Sequence, residues 1–346
     1  MKKILVALLC ILCSSATIFV YSQGAVIIPN EDTIVSLMKS DHIPIAGICL
    51  IENAKLKYFK TFREDNKSIS ENTFFNIASL TKPLVTMLTL KLVSLGQWQL
   101  DEPLFHYWTD PDVSKDPRNK KLTTRLVLSH QTGLPNWRGH EPEGKLSFEF
   151  ESGSKWKYSG EGFEYLREAI EHKFNIPIEI LADSLLFKNI EMKNTKFYWD
   201  QNTDSTLYAG RYHEDGTPYE YETWQDANAS NLVLTTMQDY GKFGLHVMKN
   251  IHSNNENYNE MIKTQAWPSA KKEFGLGLSI IRGLSNGEYA LVHTGRNPGV
   301  NTIIVLLPES NRGIVVFTDS DNGNKLYSEL VGILIDLGNE IIKRVE

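Results

Sequence analysis

Cysteine is scarce in this chain: Cys10, Cys13 and Cys49 are its three in 346 residues. The first two fall in an apolar N-terminal stretch, leaving Cys49 alone in the remainder, and a lone thiol closes no internal disulfide. A small scaffold held together by disulfides is therefore excluded. Cys49 lies in the apolar stretch Ile45 to Ile51, where a buried, inert thiol is expected. An excess of positive charge is also missing. Thirty-six Lys and Arg stand against 42 Asp and Glu, a net charge of -6, which gives no electrostatic footprint for a nucleic-acid partner. Internal repeats and low-complexity tracts are absent. The 41% hydrophobic and 23% charged residues are ordinary globular usage, unlike disordered, collagenous or coiled-coil chains. The length allows two domains or one large composite domain.

The chain opens on Lys2 and Lys3, an apolar run from Ile4 to Leu12, and the small residues Ser14, Ser15 and Ala16. This is the order of a secretory signal peptide. Residues 1–22 are read as that leader, cut after Ala16 or near Ser22, and residues 24–346 as the mature domain, periplasmic or secreted. Apolar character continues through Ile18, Phe19, Val20 and Tyr21, so a retained leader would be long enough to anchor the chain. Membrane contact is expected only in that case.

Beyond the leader the sequence reads as strands, then helices, then strands. Thr33 to Ser40 suggests a short helix. Ala46 to Glu52 and Lys57 to Phe62 read as a hairpin broken at Asn53. Leu84, Val85, Leu88, Leu92 and Leu95 recur at helical spacing, with Gly96 as the stop. Phe163 to His172 and Met237 to Met248 are further helices. Leu276 to Ile281, Ala290 to His293, Thr302 to Leu307 and Gly313 to Thr318 are β-prone, and Leu326 to Ile342 reads as one long amphipathic helix. With β runs at both ends, the expected class is α+β. One antiparallel sheet would be built from both termini and flanked by N- and C-terminal helices, with a mostly helical lobe inserted. The sheet lobe is expected over residues 30–83 and 270–346, the helical lobe over 84–269.

The chemistry centres on Ser79, three residues before Lys82 in Phe75-Asn76-Ile77-Ala78-Ser79-Leu80-Thr81-Lys82. On a helix these positions share a face, so the amine can reach the hydroxyl. A serine needs a neighbouring base, and a lysine serves only when burial or nearby charge keeps it neutral. The helix N-terminus disfavours the cation and offers N–H groups to an oxyanion. The spacing alone carries little weight, since a capping serine beside a surface lysine has the same pattern. Two segments add to it. Tyr158 stands at a loop-to-helix junction and can relay a proton. Val292-His293-Thr294-Gly295 reads as a strand end whose glycine allows a ligand close to the backbone.

Three other patterns compete. Gly283-Leu284-Ser285-Asn286-Gly287 matches a nucleophile elbow, but it joins two β runs and Asn286-Gly287 is a hairpin signal. Asp200, Asn202 and Asp204 imitate a calcium loop, with Ser205 where the loop needs glycine and Arg211 where it needs glutamate. Tyr219, Tyr221 and Trp224 could line a cleft, though core packing is the expected role.

Taken together and in order, these residues resemble the serine β-lactamase-like, penicillin-recognising superfamily, in particular its class C β-lactamase, D-aminopeptidase and family VIII esterase branch. Leu128-Ser129-His130-Gln131-Thr132-Gly133-Leu134-Pro135, the block from Ala229 to Thr236, and Pro298-Gly299-Val300 extend the resemblance over nearly the whole mature chain. It implies the two-lobed fold already described and a serine hydrolase working through an acyl-enzyme. Ser79 would be the nucleophile, Lys82 its base, and Tyr158 a partner in proton transfer and deacylation. His293 takes the place of the third motif's Lys or His, and Thr294, Gly295 and Arg296 contact substrate. The N–H groups of Ser79 and Arg296 would form the oxyanion hole. No metal or organic cofactor is implied, and the partner is a small-molecule or peptide-like acyl substrate.

Two departures narrow the substrate. Gly160 stands where relatives acting on penicillins or peptidoglycan carry the Asn of Tyr-x-Asn, and a substrate contact goes with it. His293 replaces the lysine of efficient β-lactamases and carries little charge near neutral pH, although Arg296 can pair with an anion. An esterase, or an amidase or peptidase for D-amino-acid substrates, fits better than a strong β-lactamase. The alternatives are a weak β-lactamase, or a non-turnover penicillin-binding sensor or scaffold.

Overall fold

A computed structural model describes residues 27, 28, 30–253 and 255–345. The leader expected over residues 1–22 lies outside the described residues. No helix among the described residues is long and apolar enough to cross a membrane.

Helix α1 (Glu31–Ser40) starts at Asn30, whose side chain accepts the N–H of Asp32, and leads into strands β1 (Ile45–Glu52) and β2 (Lys55–Arg63). Their turn places Asn53 and Ala54 at φ 53° and 55°, the doubly left-handed geometry that suits a two-residue hairpin. Helices α2 (Thr81–Ser94), α3 (Gly160–Phe174) and α4 (Met237–Ile251) follow, with shorter helical turns between them. The sheet then resumes with β3 (Ala266–Ser269), β4 (Lys272–Phe274), β5 (Ser279–Ile281), β6 (Ala290–Asn297), β7 (Val300–Leu307) and β8 (Arg312–Thr318). Helices α5 (Gly323–Leu334) and α6 (Gly338–Val345) close the chain.

The eight strands form one antiparallel sheet in the order β2-β1-β8-β7-β6-β5-β4-β3, so the N-terminal hairpin pairs with the last strand. The central strands are buried on both faces, which explains their unbroken apolar runs. Along β1, Cys49 and Ile51 join the core shared with the helical region, whereas Ala46, Ile48 and Leu50 join the core beneath the terminal helices. On β8, Val315 and Phe317 take the first side and Ile314 and Val316 the second. This two-residue alternation fixes the register, because a slip by one residue would exchange the faces. Cys49 is fully buried, and burial pushes its thiol up to about 12. That is the inert thiol expected of it.

Three expectations change in detail. The segment Leu326 to Ile342 is two helices, because Ile335 turns extended after α5. Gly338 then packs so closely that an added Cβ would lie 1.8 Å from the Val331 carbonyl oxygen. Leu276 to Leu278 forms a turn instead of extending β5: the Gly275 N–H bonds the Leu278 carbonyl and the Gly277 N–H bonds that of Leu128. Strand β6 does not end at Gly295, since pairing with β7 continues to Asn297 opposite Val300.

Candidate active site

Ser79 sits on a short 3-10 turn, Ala78–Leu80, immediately before α2. The turn is strained. Ala78 has φ 47°, a region that L residues occupy only when their surroundings impose it. The restraints come from several segments. Asn76 Oδ1 accepts the Ala78 N–H at 2.8 Å, Thr302 Oγ1 donates to the Ile77 carbonyl at 3.0 Å, and Asn297 Nδ2 reaches Asn76 Oδ1 at 3.3 Å. Strand β6 passes directly alongside. A Cβ added to Gly295 would lie 2.3 Å from Thr302 Oγ1, 2.6 Å from the Ile77 oxygen and 3.0 Å from Ser79 N. Gly295→Ala is therefore expected to cost about 1–3 kcal/mol through overpacking against backbone. Denaturant unfolding of the variant measures this, and an unchanged midpoint would refute the close approach.

Lys82 is fully buried, and its Nζ lies 3.2 Å from Ser79 Oγ and donates to the Ser230 carbonyl at 2.8 Å. Burial lowers the amine to about 7, with the Glu164 carboxylate acting in the opposite direction. Near neutral pH a large fraction of the amine is uncharged. In that form it can donate to Ser230 while its lone pair accepts the Ser79 hydrogen. Glu164, on α3, is itself half-buried; its desolvation raises its carboxyl, although Arg167 works to lower it. Its Oε1 accepts the Ala229 N–H and so holds the loop that presents Ser230.

Tyr158 immediately precedes α3, whose N-cap is Ser159. Its ring lies 4.7 Å from Lys82 Nζ. Burial raises the phenol, partly offset by a hydrogen bond with Ser79. The Tyr158 hydroxyl lies 3.3 Å from His293 Nε2, and His293 Nδ1 lies 2.9 Å from the Gly277 carbonyl. A carbonyl only accepts, so Nδ1 carries the hydrogen and Nε2 accepts from Tyr158. Burial and the nearby Lys82 amine bring the imidazole down to about 3, so His293 is neutral throughout the physiological range. The irregular turn at Gly277, unexpected from sequence, sets this tautomer.

Ser79, Tyr158, His293, Thr294 and Arg296 border one cleft of about 290 Å³, with Trp137, Trp156 and Phe274 on its walls. Arg296 is exposed and makes no ion pair among the described residues. The competing patterns lie elsewhere. Ser285 sits on the β5–β6 connection, where its N–H bonds Glu340. Asp200 is taken up by Lys196 and by its own turn. Tyr221 and Trp224 pack on Trp199, with ring centres 5.8 and 5.9 Å away, and Tyr219 stacks on His213.

Sequence reasoning singled out neither Ser230 nor Glu164 and gave His130 no role. His130 is fully buried with φ 57°. Its Nδ1 accepts the Ser159 N–H at 3.2 Å and its ring lies 4.2 Å from that of Tyr158, so it fixes both the backbone and the plane of the phenol. The only advance signal was its place in the Leu128 to Pro135 block.

A sheet backed by terminal helices, with a serine on a tight turn and a lysine one helical turn further on, defines the serine β-lactamase-like and penicillin-binding fold. The chain belongs to the Beta-lactamase family, whose model matches residues 30–331. It is 31% identical over 210 residues to an uncharacterized protein of Alkalihalophilus pseudofirmus, covering 59% of this chain and 58% of that one. It is 26% identical over 184 residues to Esterase EstB of Burkholderia gladioli, covering 45% of each. The crystal structure of D-alanine carboxypeptidase AmpC from Burkholderia cenocepacia superposes with a TM-score of 0.71 at 18% identity, covering 87% of this chain and 98% of that one. The matches to the two curated relatives span 58% and 45% of their lengths. The chain is thus a serine hydrolase-like member of its family.

Proposed function

We propose that the protein is an exported serine hydrolase that forms an acyl-enzyme on a small ester, amide or D-amino-acid-containing substrate. One observation carries this reading: a serine hydroxyl 3.2 Å from a fully buried amine lowered to about 7, at the edge of an open cleft. Export rests on Lys2, Lys3 and the apolar run behind them, and the product would be periplasmic or secreted. The activities named for the esterase and the carboxypeptidase bracket the substrate class.

In the reaction, Lys82 accepts the Ser79 hydrogen as Oγ bonds the carbonyl carbon. The N–H groups of Ser79 and Arg296 face the oxyanion. The bond to the leaving group then breaks, and the hydrogen taken by Lys82 reaches that group through the Tyr158 hydroxyl. Thr294 and Gly295 line the path of the substrate, and Arg296 offers a cation to an anionic one. Water subsequently cleaves the Ser79 ester and restores the hydroxyl.

A second reading, a penicillin-binding sensor that acylates and stalls, is favoured by Tyr158. Its raised phenol remains protonated and donates to a neutral His293, which makes it a poor base for activating water. Steady-state assays with p-nitrophenyl acetate, nitrocefin and a D-alanyl anilide separate the readings. Continuous turnover of the ester or anilide is expected. One stoichiometric burst would indicate the sensor, and faster turnover of nitrocefin than of the ester would make the protein a β-lactamase.

A further inference from the structure

We propose that Asn136 supplies from a neighbouring loop the side-chain amide that position 160 lacks, and that Asn136 and Trp137 together select acyl groups carrying a carbonyl acceptor. The inference deepens the hydrolase reading and rests on it. Gly160 is not an empty position. A Cβ there would lie 2.9 Å from the Asn136 carbonyl oxygen and 3.0 Å and 3.1 Å from two atoms of the Trp137 ring. The indole therefore takes the room that any side chain at 160 would need, and the glycine is a consequence of that packing. Asn136 replaces the missing group chemically. Its Oδ1 accepts the Gly160 N–H at 2.9 Å, which fixes the orientation of the amide. Its Nδ2 then has no hydrogen-bond partner among the described residues, and Asn136 and Trp137 both border the cleft that holds Ser79. A half-buried amide N–H₂ anchored through its oxygen is a preorganised donor, able to bind a carbonyl oxygen at little ordering cost. The flat indole beside it suits a planar amide or ester group. The matching acyl groups are of the N-acylamino-acid type, in which a second carbonyl lies a few bonds from the reacting one. Simple alkanoyl groups fill the same space without using the donor.

The test compares kcat/KM for the phenyl thioesters of N-acetylglycine and of pentanoic acid, which match in length but differ in the acceptor. It uses the wild type, Asn136→Ala and Asn136→Asp. The aspartate variant keeps an oxygen for the Gly160 N–H while removing the donor, so it separates loss of the contact from disruption of the loop. The ratio of the two kcat/KM values is expected to fall about tenfold in both variants, the equivalent of one substrate hydrogen bond. An unchanged ratio in folded Asn136→Asp, with Ser79 still labelled by a fluorophosphonate, would overturn the subsite and leave the hydrolase reading intact. If the wild type cleaves neither thioester and Ser79 takes no label, both fall together.

Discussion

Replacing Ser79 with alanine is expected to abolish turnover of an ester substrate, by about 10⁴- to 10⁶-fold in kcat, and to eliminate fluorophosphonate labelling. The expectation follows from the strained turn. Ala78 is held at φ 47° by Asn76, while Thr302 fixes the adjoining Ile77 carbonyl. The turn presents one hydroxyl, with Tyr158 and Lys82 as its neighbours. Ser285 cannot compensate, since it sits on a hairpin connection and bonds Glu340. The fold should survive, because Ser79 is partly exposed and alanine suits the turn. Retained labelling in a folded Ser79→Ala protein would move the nucleophile elsewhere.

The second large effect is expected at Lys82. Lys82→Met preserves much of the side-chain volume but removes the base, and acylation should slow by about 10²- to 10⁴-fold, the usual contribution of a positioned base. Lys82→Arg should fail as well, because a guanidinium remains protonated and cannot accept the Ser79 hydrogen. The stability effect has a definite sign. The amine titrates near 7 in the folded protein and near 10.4 when unfolded. Between those values the unfolded chain binds the proton that the native amine excludes, so the contribution of Lys82 to wild-type stability rises as pH is raised through that window. Any excess of the Lys82→Met melting temperature over that of the wild type should accordingly shrink from pH 7 toward pH 10. Thermal melts across that range check it, and a growing excess would contradict the buried neutral amine.

How much of this was legible in the sequence depended on distance along the chain. The pair Ser79 and Lys82 was readable because three residues is a local spacing whose geometry a helix dictates. The strands were readable from their apolar runs, and the sheet followed from their placement at both ends. Contacts made only on folding left no local trace. Ser230, which orients Lys82, lies 148 residues away, and Gly277, which sets the His293 tautomer, lies 16 residues from it in a segment that reads as strand. Gly160 was legible as a departure, but its cause was not, because Trp137 reaches it only in three dimensions. The break between α5 and α6 was hidden for a different reason. Leu330, Leu334, Ile341 and Ile342 all bury in one core, so helical periodicity continues across a turn that only Gly338 marks.

The central claim is that Ser79 is reactive because the Lys82 amine is neutral, and the pH dependence of Ser79 acylation tests it most directly. Single-turnover labelling by a fluorophosphonate, followed by mass spectrometry of the Ser79 peptide from pH 5 to 9, should give a rate that falls tenfold per unit below a midpoint near 7 and levels off above it. Lys82→Met should label slowly and without that midpoint. A rate that is flat across the range, or a midpoint that persists in Lys82→Met, would contradict the account.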